Sequence, residues 1–105
     1  MRKFNHVGII TKEMKEGAML NEGLQVYLTD YSQSANRIEW LNFIEGSTVM
    51  PELIQTQTHM AYEVPDLAAA LEGAKVIFGP AVCDEHLTIA FIEEEGIPVE
   101  LMEIK

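Results

Sequence analysis

A loose internal repeat is the feature that most constrains how this chain can fold. The segment from Phe4 to Ile10 is echoed from Thr58 to Val64, and the segment from Arg37 to Phe43 is echoed from Pro98 to Ile104. Each half thus offers one histidine and, further along, one glutamate on apolar segments that alternate like strands. The repeat predicts two related lobes packed about a pseudo-twofold axis.

The length bounds how the repeats can be organised. The chain has 105 residues, which suits one compact core, so the repeats are expected to form a single domain. We place module one at about residues 1–46, a linker at 47–56 and module two at about 57–105. Because one such chain buries a limited core, a homodimer is expected.

Charge narrows the possible partners. The formal net charge is −10, and the seven lysine and arginine residues are scattered. This argues against nucleic-acid binding, which depends on basic side chains that displace counterions from phosphate. It also weakens a polyanionic ligand, whereas it suits a divalent cation. No apolar run approaches the roughly 20 residues of a membrane span.

Two observations bear on location. The basic start, Met1 to Lys3, is followed by a stretch that Asn5 and His6 interrupt, so no signal peptide is expected. The single Cys83 cannot form an internal disulfide, which fits a reducing cytoplasm. We interpret Cys83 as a small core residue, although its spacing from His86 leaves a metal half-site open.

The first module has a weaker pattern than the second. Residues 3–10 predict a strand with His6 and Gly8 on one face, because strand side chains alternate. A short helix is expected at about 11–20, and further strands at 24–31 and 37–45. This module is therefore expected to have one strand fewer than the second.

The second module predicts the order βαβββ. A strand at 57–64 precedes a helix that Asp66 caps and Gly73 ends. Three further strands are expected at 75–82, 87–93 and 98–104, the last two joined by a tight turn.

The duplicated side chains are candidate metal ligands. Imidazole nitrogen and carboxylate oxygen bind zinc, nickel, cobalt, manganese or iron. If the lobes are symmetric, His6, Glu39, His59 and Glu100 would converge on one ion. Each of these residues alone has a simpler explanation, since strand histidines are often half-buried and strand glutamates often solvated.

The segments His6 to Ile9, Thr58 to Leu67 and Glu95 to Leu101, with the helix Leu67 to Leu71, resemble the vicinal oxygen chelate (glyoxalase/bleomycin-resistance/dioxygenase) superfamily. The resemblance implies an α+β fold in which two paired βαβββ modules, the first abbreviated, form a curled mixed sheet around a cleft. It also implies the glyoxalase I-like ligand set His6, Glu39, His59 and Glu100.

The same resemblance implies a function. Four ligands favour a metal-dependent lyase or isomerase, similar to glyoxalase I or methylmalonyl-CoA epimerase, that removes a proton next to a carbonyl of a small substrate. Glu100 and Glu39 are the candidate catalytic bases, with Glu63 and Glu45 as weaker candidates. The alternative is a metal-free protein that binds or sequesters a small molecule, as bleomycin-resistance proteins do.

Overall fold

A computed structural model describes residues 1–105 and contains eight strands and two short α-helices. Neither helix is long and apolar enough to cross a membrane. The elements are β1 (Lys3–Ile10), β2 (Met19–Asn21), β3 (Val26–Leu28), a 3-10 helix (Tyr31–Gln33), β4 (Ile38–Phe43), α1 (Glu52–Thr56), β5 (His59–Glu63), α2 (Leu67–Leu71), β6 (Val76–Asp84), β7 (Leu87–Glu94) and β8 (Ile97–Ile104).

All eight strands form one mixed sheet in the order β2-β3-β4-β1-β5-β8-β7-β6. Strands β1 and β4 are parallel, as are β5 and β8, and the other neighbours are antiparallel. Read outward from the central β1–β5 pair, both halves have the same strand order. The predicted α+β fold of two paired modules in a curled mixed sheet is confirmed.

The first module differs from the sequence prediction in two ways. It has four strands, so the expected missing strand was wrong; β2 and β3 are three residues each. The helix expected at 11–20 was also wrong, because Gly17 adopts φ +82° and Met14 and Met19 are exposed. A helix there would bury no apolar face, and burial is what stabilises short helices in proteins. The module is abbreviated by its lack of an α-helix.

The second module follows the predicted order. Asp66 Oδ1 accepts a hydrogen bond from the Ala69 amide at 3.1 Å at the start of α2, and Gly73 follows the helix at φ +73°. The residues placed in the linker, 47–56, include α1, which begins directly after Pro51. Proline suits that place because its amide nitrogen has no hydrogen to leave unpaired.

Apolar side chains fill both sides of the sheet in the second module. One cluster lies on the concave side and consists of Met50, Ile54, Ala61, Ile89, Phe91 and Met102. The other lies under α2 and consists of Val64, Leu67, Ala90, Ile92, Val99 and Leu101. Strands β7 and β8 are therefore buried on both faces. The interpretation of Cys83 as a core residue was wrong: it is exposed, on the edge strand β6.

The core under α2 can be tested with a matched pair of substitutions. Leu101 is fully buried and Leu20 is 40% exposed. We expect Leu101→Ala to lower the free energy of unfolding by about 2–5 kcal/mol, because it removes transfer energy and leaves a cavity. Leu20→Ala should change it by about 0.5 kcal/mol or less. If urea denaturation showed the same loss in free energy of unfolding for both variants, this packing would be contradicted.

Candidate metal centre

The register of the central strands brings the predicted site residues together. Across the antiparallel β1–β5 pair, His6 lies opposite Ala61 and His59 lies opposite Gly8. In the parallel pairs, Gly8 is beside Glu39 and Ala61 is beside Glu100. Each half thus places its glutamate beside the small residue that faces the histidine of the other half. The pairing is the same in both modules.

Gly8 is required by the His59 side chain. A β-carbon added at Gly8 would lie 2.2 Å from His59 Cε1, well inside van der Waals contact. On the opposite side of the axis, His6 faces Ala61, where a methyl group is accommodated. The absence of a side chain at Gly8 therefore leaves room for the His59 ring to lie over β1.

The four side chains His6, Glu39, His59 and Glu100 form a compact set, called here the four-residue cluster. One ligand atom from each lies within 4.8 Å of all the others. His59 Nε2 is 3.1 Å from Glu100 Oε1, and His6 Nε2 is 3.4 Å from an oxygen of Glu39 and from Glu100 Oε1. Ligands about 2.1 Å from an ion lie at most about 4.2 Å apart, so a shift below about 1 Å would close the cluster around a cation.

Burial makes this arrangement costly without a cation. His6 is 1% exposed, His59 0% and Glu100 7%, and Glu39 is half-buried. His6 Nε2 and His59 Nδ1 are buried without a hydrogen-bond partner. Buried polar atoms are normally paired, so an orphaned imidazole nitrogen beside two carboxylates needs an explanation. A divalent cation among these atoms fits both His6 Nε2 and the donor chemistry of the set.

Asn5 orients the His6 ring. Asn5 Nδ2 donates to Glu63 Oε2 at 2.9 Å, which fixes the amide so that its Oδ1 faces His6 Nδ1 at 2.6 Å. Because Oδ1 can only accept, His6 Nδ1 must carry a hydrogen. In neutral His6 the lone pair is then on Nε2, which points to the carboxylates. This is the partner expected for a histidine that binds a metal.

Tyr31 and Arg37 pack over the same imidazole. The Tyr31 ring stacks on His6 with centroids 4.2 Å apart and planes at 11°. The Arg37 guanidinium lies 5.0 Å from the Tyr31 centroid, and its Nε donates to the Asn5 carbonyl. A stacked pair of this kind limits rotation of the His6 ring.

Sequence reasoning missed Asn5, Tyr31 and the role of Gly8. Strict alternation places Asn5 on the face opposite His6, but the strand pairing shifts between Phe4 and His6, and both Asn5 and His6 are buried. Such an irregularity leaves no local signal in the sequence. Tyr31 lies in a loop, where no periodicity could indicate its contact with His6.

The weaker candidates are in other positions. Glu63 reaches the cluster only through Asn5, and Glu45 is exposed. His86 contacts the Lys105 carbonyl and Glu85, and no contact joins it to Cys83. A metal half-site built from Cys83 and His86 therefore has no support in the structure.

The cluster also perturbs proton binding. Burial opposes the charged form of His6, but its contacts with Glu100 and Glu39 outweigh burial and raise the pKa of His6 to about 9. Burial likewise opposes the Glu100 carboxylate, yet its contacts with His59 and His6 lower its pKa to about 2. In the metal-free protein a proton on His6 thus partly balances the carboxylates.

Comparison with known proteins identifies the fold. The sequence matches no protein-family profile and no protein of curated function. The fold is similar to that of a hypothetical protein from Bacillus halodurans, with a TM-score of 0.70 and 18% identity, covering 99% of this chain and 95% of that one. It is also similar to methylmalonyl-CoA epimerase from Mycobacterium tuberculosis, with a TM-score of 0.62 and 22% identity, covering 98% and 88%.

These likenesses and the paired four-stranded modules define a vicinal oxygen chelate fold, as the resemblance of the sequence predicted. At these identities the comparison establishes the fold and no activity. Function must therefore be argued from the cluster itself.

Gly8→Ala tests the close approach of His59. We expect it to lower the free energy of unfolding by about 1–3 kcal/mol, since the new methyl group overlaps the His59 ring. Gly23→Ala is the matched control, because a β-carbon there meets only Asn21 Oδ1 at 3.5 Å. Thermal and urea denaturation measure both. A Gly8→Ala protein as stable as the Gly23→Ala control would contradict the contact.

The metal-free protein should show a stability maximum that these pKa values set. His6 stabilises the fold fully below pH 6.5, and this contribution is lost as the pH rises through about 9. Glu100 stabilises it above pH 4.5, and this is lost as the pH falls toward about 2. We expect the melting temperature in EDTA to peak between about pH 4.5 and 6.5. His6→Asn should remove the alkaline decline and His86→Asn should not; an alkaline decline that persists in His6→Asn would contradict the assignment.

Proposed function

We propose that this protein is a metal-dependent isomerase or lyase, of the glyoxalase or epimerase type, that removes a proton next to a carbonyl of a small molecule. One observation carries the proposal: two histidines and two glutamates from both halves converge within 4.8 Å at the wall of an apolar cavity. The vicinal oxygen chelate fold and the epimerase among its structural neighbours support the same class of reaction.

His6, Glu39, His59 and Glu100 are the proposed ligands of a zinc, nickel, cobalt, manganese or iron ion. When bound, a divalent cation of this kind supplies Lewis acidity that polarises a carbonyl oxygen. Asn5 holds the His6 ring so that Nε2 faces the cluster, and Gly8 leaves room for His59. These contacts orient the two histidine side chains toward the cluster.

Glu39 is the better candidate for the catalytic base. Glu100 is held by both imidazoles, at 3.1 Å and 3.4 Å, and its side chain is 9% exposed. Glu39 contacts only His6, at 3.4 Å, and its side chain is 15% exposed. A base must move between ligand and substrate, so the carboxylate with fewer contacts is suited to take the proton. Glu100 is then the fixed ligand.

Metal titration tests the ligand set. We expect purified protein, stripped and titrated with Zn²⁺ or Mn²⁺ in a calorimeter, to bind one ion. His59→Ala and Glu100→Ala should each weaken binding by at least about tenfold, because loss of a ligand also leaves its buried partner unpaired. Glu45→Gln, which changes an exposed glutamate, is the control. Wild-type protein that binds no ion would end the metal proposal.

Proton exchange tests the base. With the metal-loaded protein and hydroxyacetone in D₂O, mass spectrometry should show deuterium entering at the carbon next to the carbonyl. Glu39→Gln keeps an oxygen ligand but cannot accept the proton, so exchange should fall by about 10²-fold or more. Full exchange by Glu39→Gln, with the metal still bound, would show that Glu39 is not the base.

A metal-free binding protein is the second candidate, and the apolar cavity favours it. It predicts that a ligand remains bound after EDTA treatment and that His59→Ala does not weaken binding. The metal-dependent proposal predicts the opposite for a ligand that chelates the ion.

Assembly and location are part of the proposal. We infer a homodimer in the cytoplasm, in keeping with the small core and the single cysteine. The outer face of β1 and β4 supports an interface, since Val7, Ile9 and Trp40 are only half-buried in a module without an α-helix. Light scattering at micromolar concentration distinguishes dimer from monomer.

A further inference from the structure

The four-residue cluster opens into a cavity of about 170 Å³ on the concave side of the sheet. Thirteen of its eighteen lining residues are hydrophobic, and they come from both modules, from Leu24 and Phe43 to Ile54 and Phe91. The cluster therefore forms the polar end of an otherwise apolar chamber. A ligand that reached the cluster would place the atoms next to its polar end in this chamber.

The volume limits the size of that ligand. Drug-sized molecules occupy pockets of about 300–1,000 Å³, whereas an apolar cavity of about 150 Å³ is filled by benzene. The chamber therefore has room for a group of roughly six to eight non-hydrogen atoms beside the cluster. The extended tails of large thiol cofactors or conjugated peptides do not fit within it.

No lysine or arginine lines the cavity. Arg37 packs on the Tyr31 ring and is not part of the wall. An anionic group on the ligand, away from the cluster, would be buried without a partner beside two glutamates. Burying an unpaired charge costs several kcal/mol even after relaxation. The cavity wall thus disfavours anionic groups, and the cavity volume limits the size of the group that fits beside the cluster.

The remaining polar side chains in the wall are neutral. Asn21 Oδ1 is already engaged, because it accepts a hydrogen bond from the Leu24 amide at 3.0 Å. Cys83 and Tyr31 also line the cavity, and neither side chain carries a positive charge. The wall therefore offers no cation to pair with an anionic group of the ligand.

We propose that the part of the ligand next to the four-residue cluster is a neutral group of benzene size or smaller, whose polar end faces the cluster and whose hydrocarbon part fills the cavity. The substrate class is then a hydroxy-carbonyl compound with an apolar substituent of benzene size or smaller. Ligands that would have to place an anionic group in the cavity beside the cluster are disfavoured. This inference rests on the proposed metal-dependent function and names its substrate class.

Two hydroxamate probes with the same chelating head test the charge selectivity. Benzohydroxamate presents two adjacent oxygens and a neutral ring, and 4-carboxybenzohydroxamate adds one anionic group at the far end. In calorimetric titrations of the Zn²⁺-loaded protein, we expect benzohydroxamate to bind at least about tenfold more tightly, because the carboxylate has no partner in the wall.

A lysine placed in the wall should weaken this preference. Leu87 is half-buried and lines the cavity, and Val82 is 77% exposed on the neighbouring strand and does not line it. Leu87→Lys is expected to reduce the ratio of the two probes' dissociation constants at least threefold. Val82→Lys, which makes the same change in net charge, is expected to leave this ratio unaltered. Leu28→Lys, also in the wall, replaces Leu87→Lys if that variant does not fold.

The outcomes separate this inference from the proposed function. If the protein binds Zn²⁺ but binds both probes equally, or binds neither, the substrate class is wrong and the metal centre stands. If Val82→Lys reduces the ratio of the probes' dissociation constants as much as the wall variant does, the selectivity is a surface effect and the inference fails. If no Zn²⁺ binds, the proposed function fails and the inference fails with it.

Discussion

The antiparallel pairing of β1 with β5 is the constraint on which the rest of this structure depends. It places each histidine opposite a small residue of the other half, and the parallel partners β4 and β8 then add one glutamate beside each small residue. Because strand side chains alternate, a slip of one residue would turn His6 and His59 to the outer face. The four-residue cluster therefore depends on the register of the β1–β5 pair.

Part of this arrangement could be predicted from the sequence. The repeat and the two-residue period placed His6 and Gly8 on one face and implied that the halves were equivalent, and the fold followed from the resemblance. Local patterns could not supply the shift in strand pairing that buries Asn5 beside His6, or the stacking of Tyr31. The wrong helix at 11–20 has a similar cause, since its apolar residues have no surface to pack against.

Two apolar clusters stabilise the second module, and one of them also lines the cavity beside the four-residue cluster. Both faces of the second module are covered by apolar clusters, one of them under α2. In the metal-free protein the four-residue cluster holds two carboxylates close together, at a cost that a proton on His6 only partly offsets, with no basic side chain in the cavity wall. A bound divalent cation would remove much of that cost and would stabilise the folded state by mass action. Ligand binding and folding are therefore expected to be coupled through the same four side chains.

The most direct measurement is a crystal structure of the protein grown with Mn²⁺ or Co²⁺ and recorded at the absorption edge of the metal. The account predicts one strong anomalous peak within bonding distance of His6 Nε2, His59 Nε2 and carboxylate oxygens of Glu39 and Glu100, so that a single ion joins both modules. An empty cluster, with anomalous peaks only at exposed acidic residues, would contradict it.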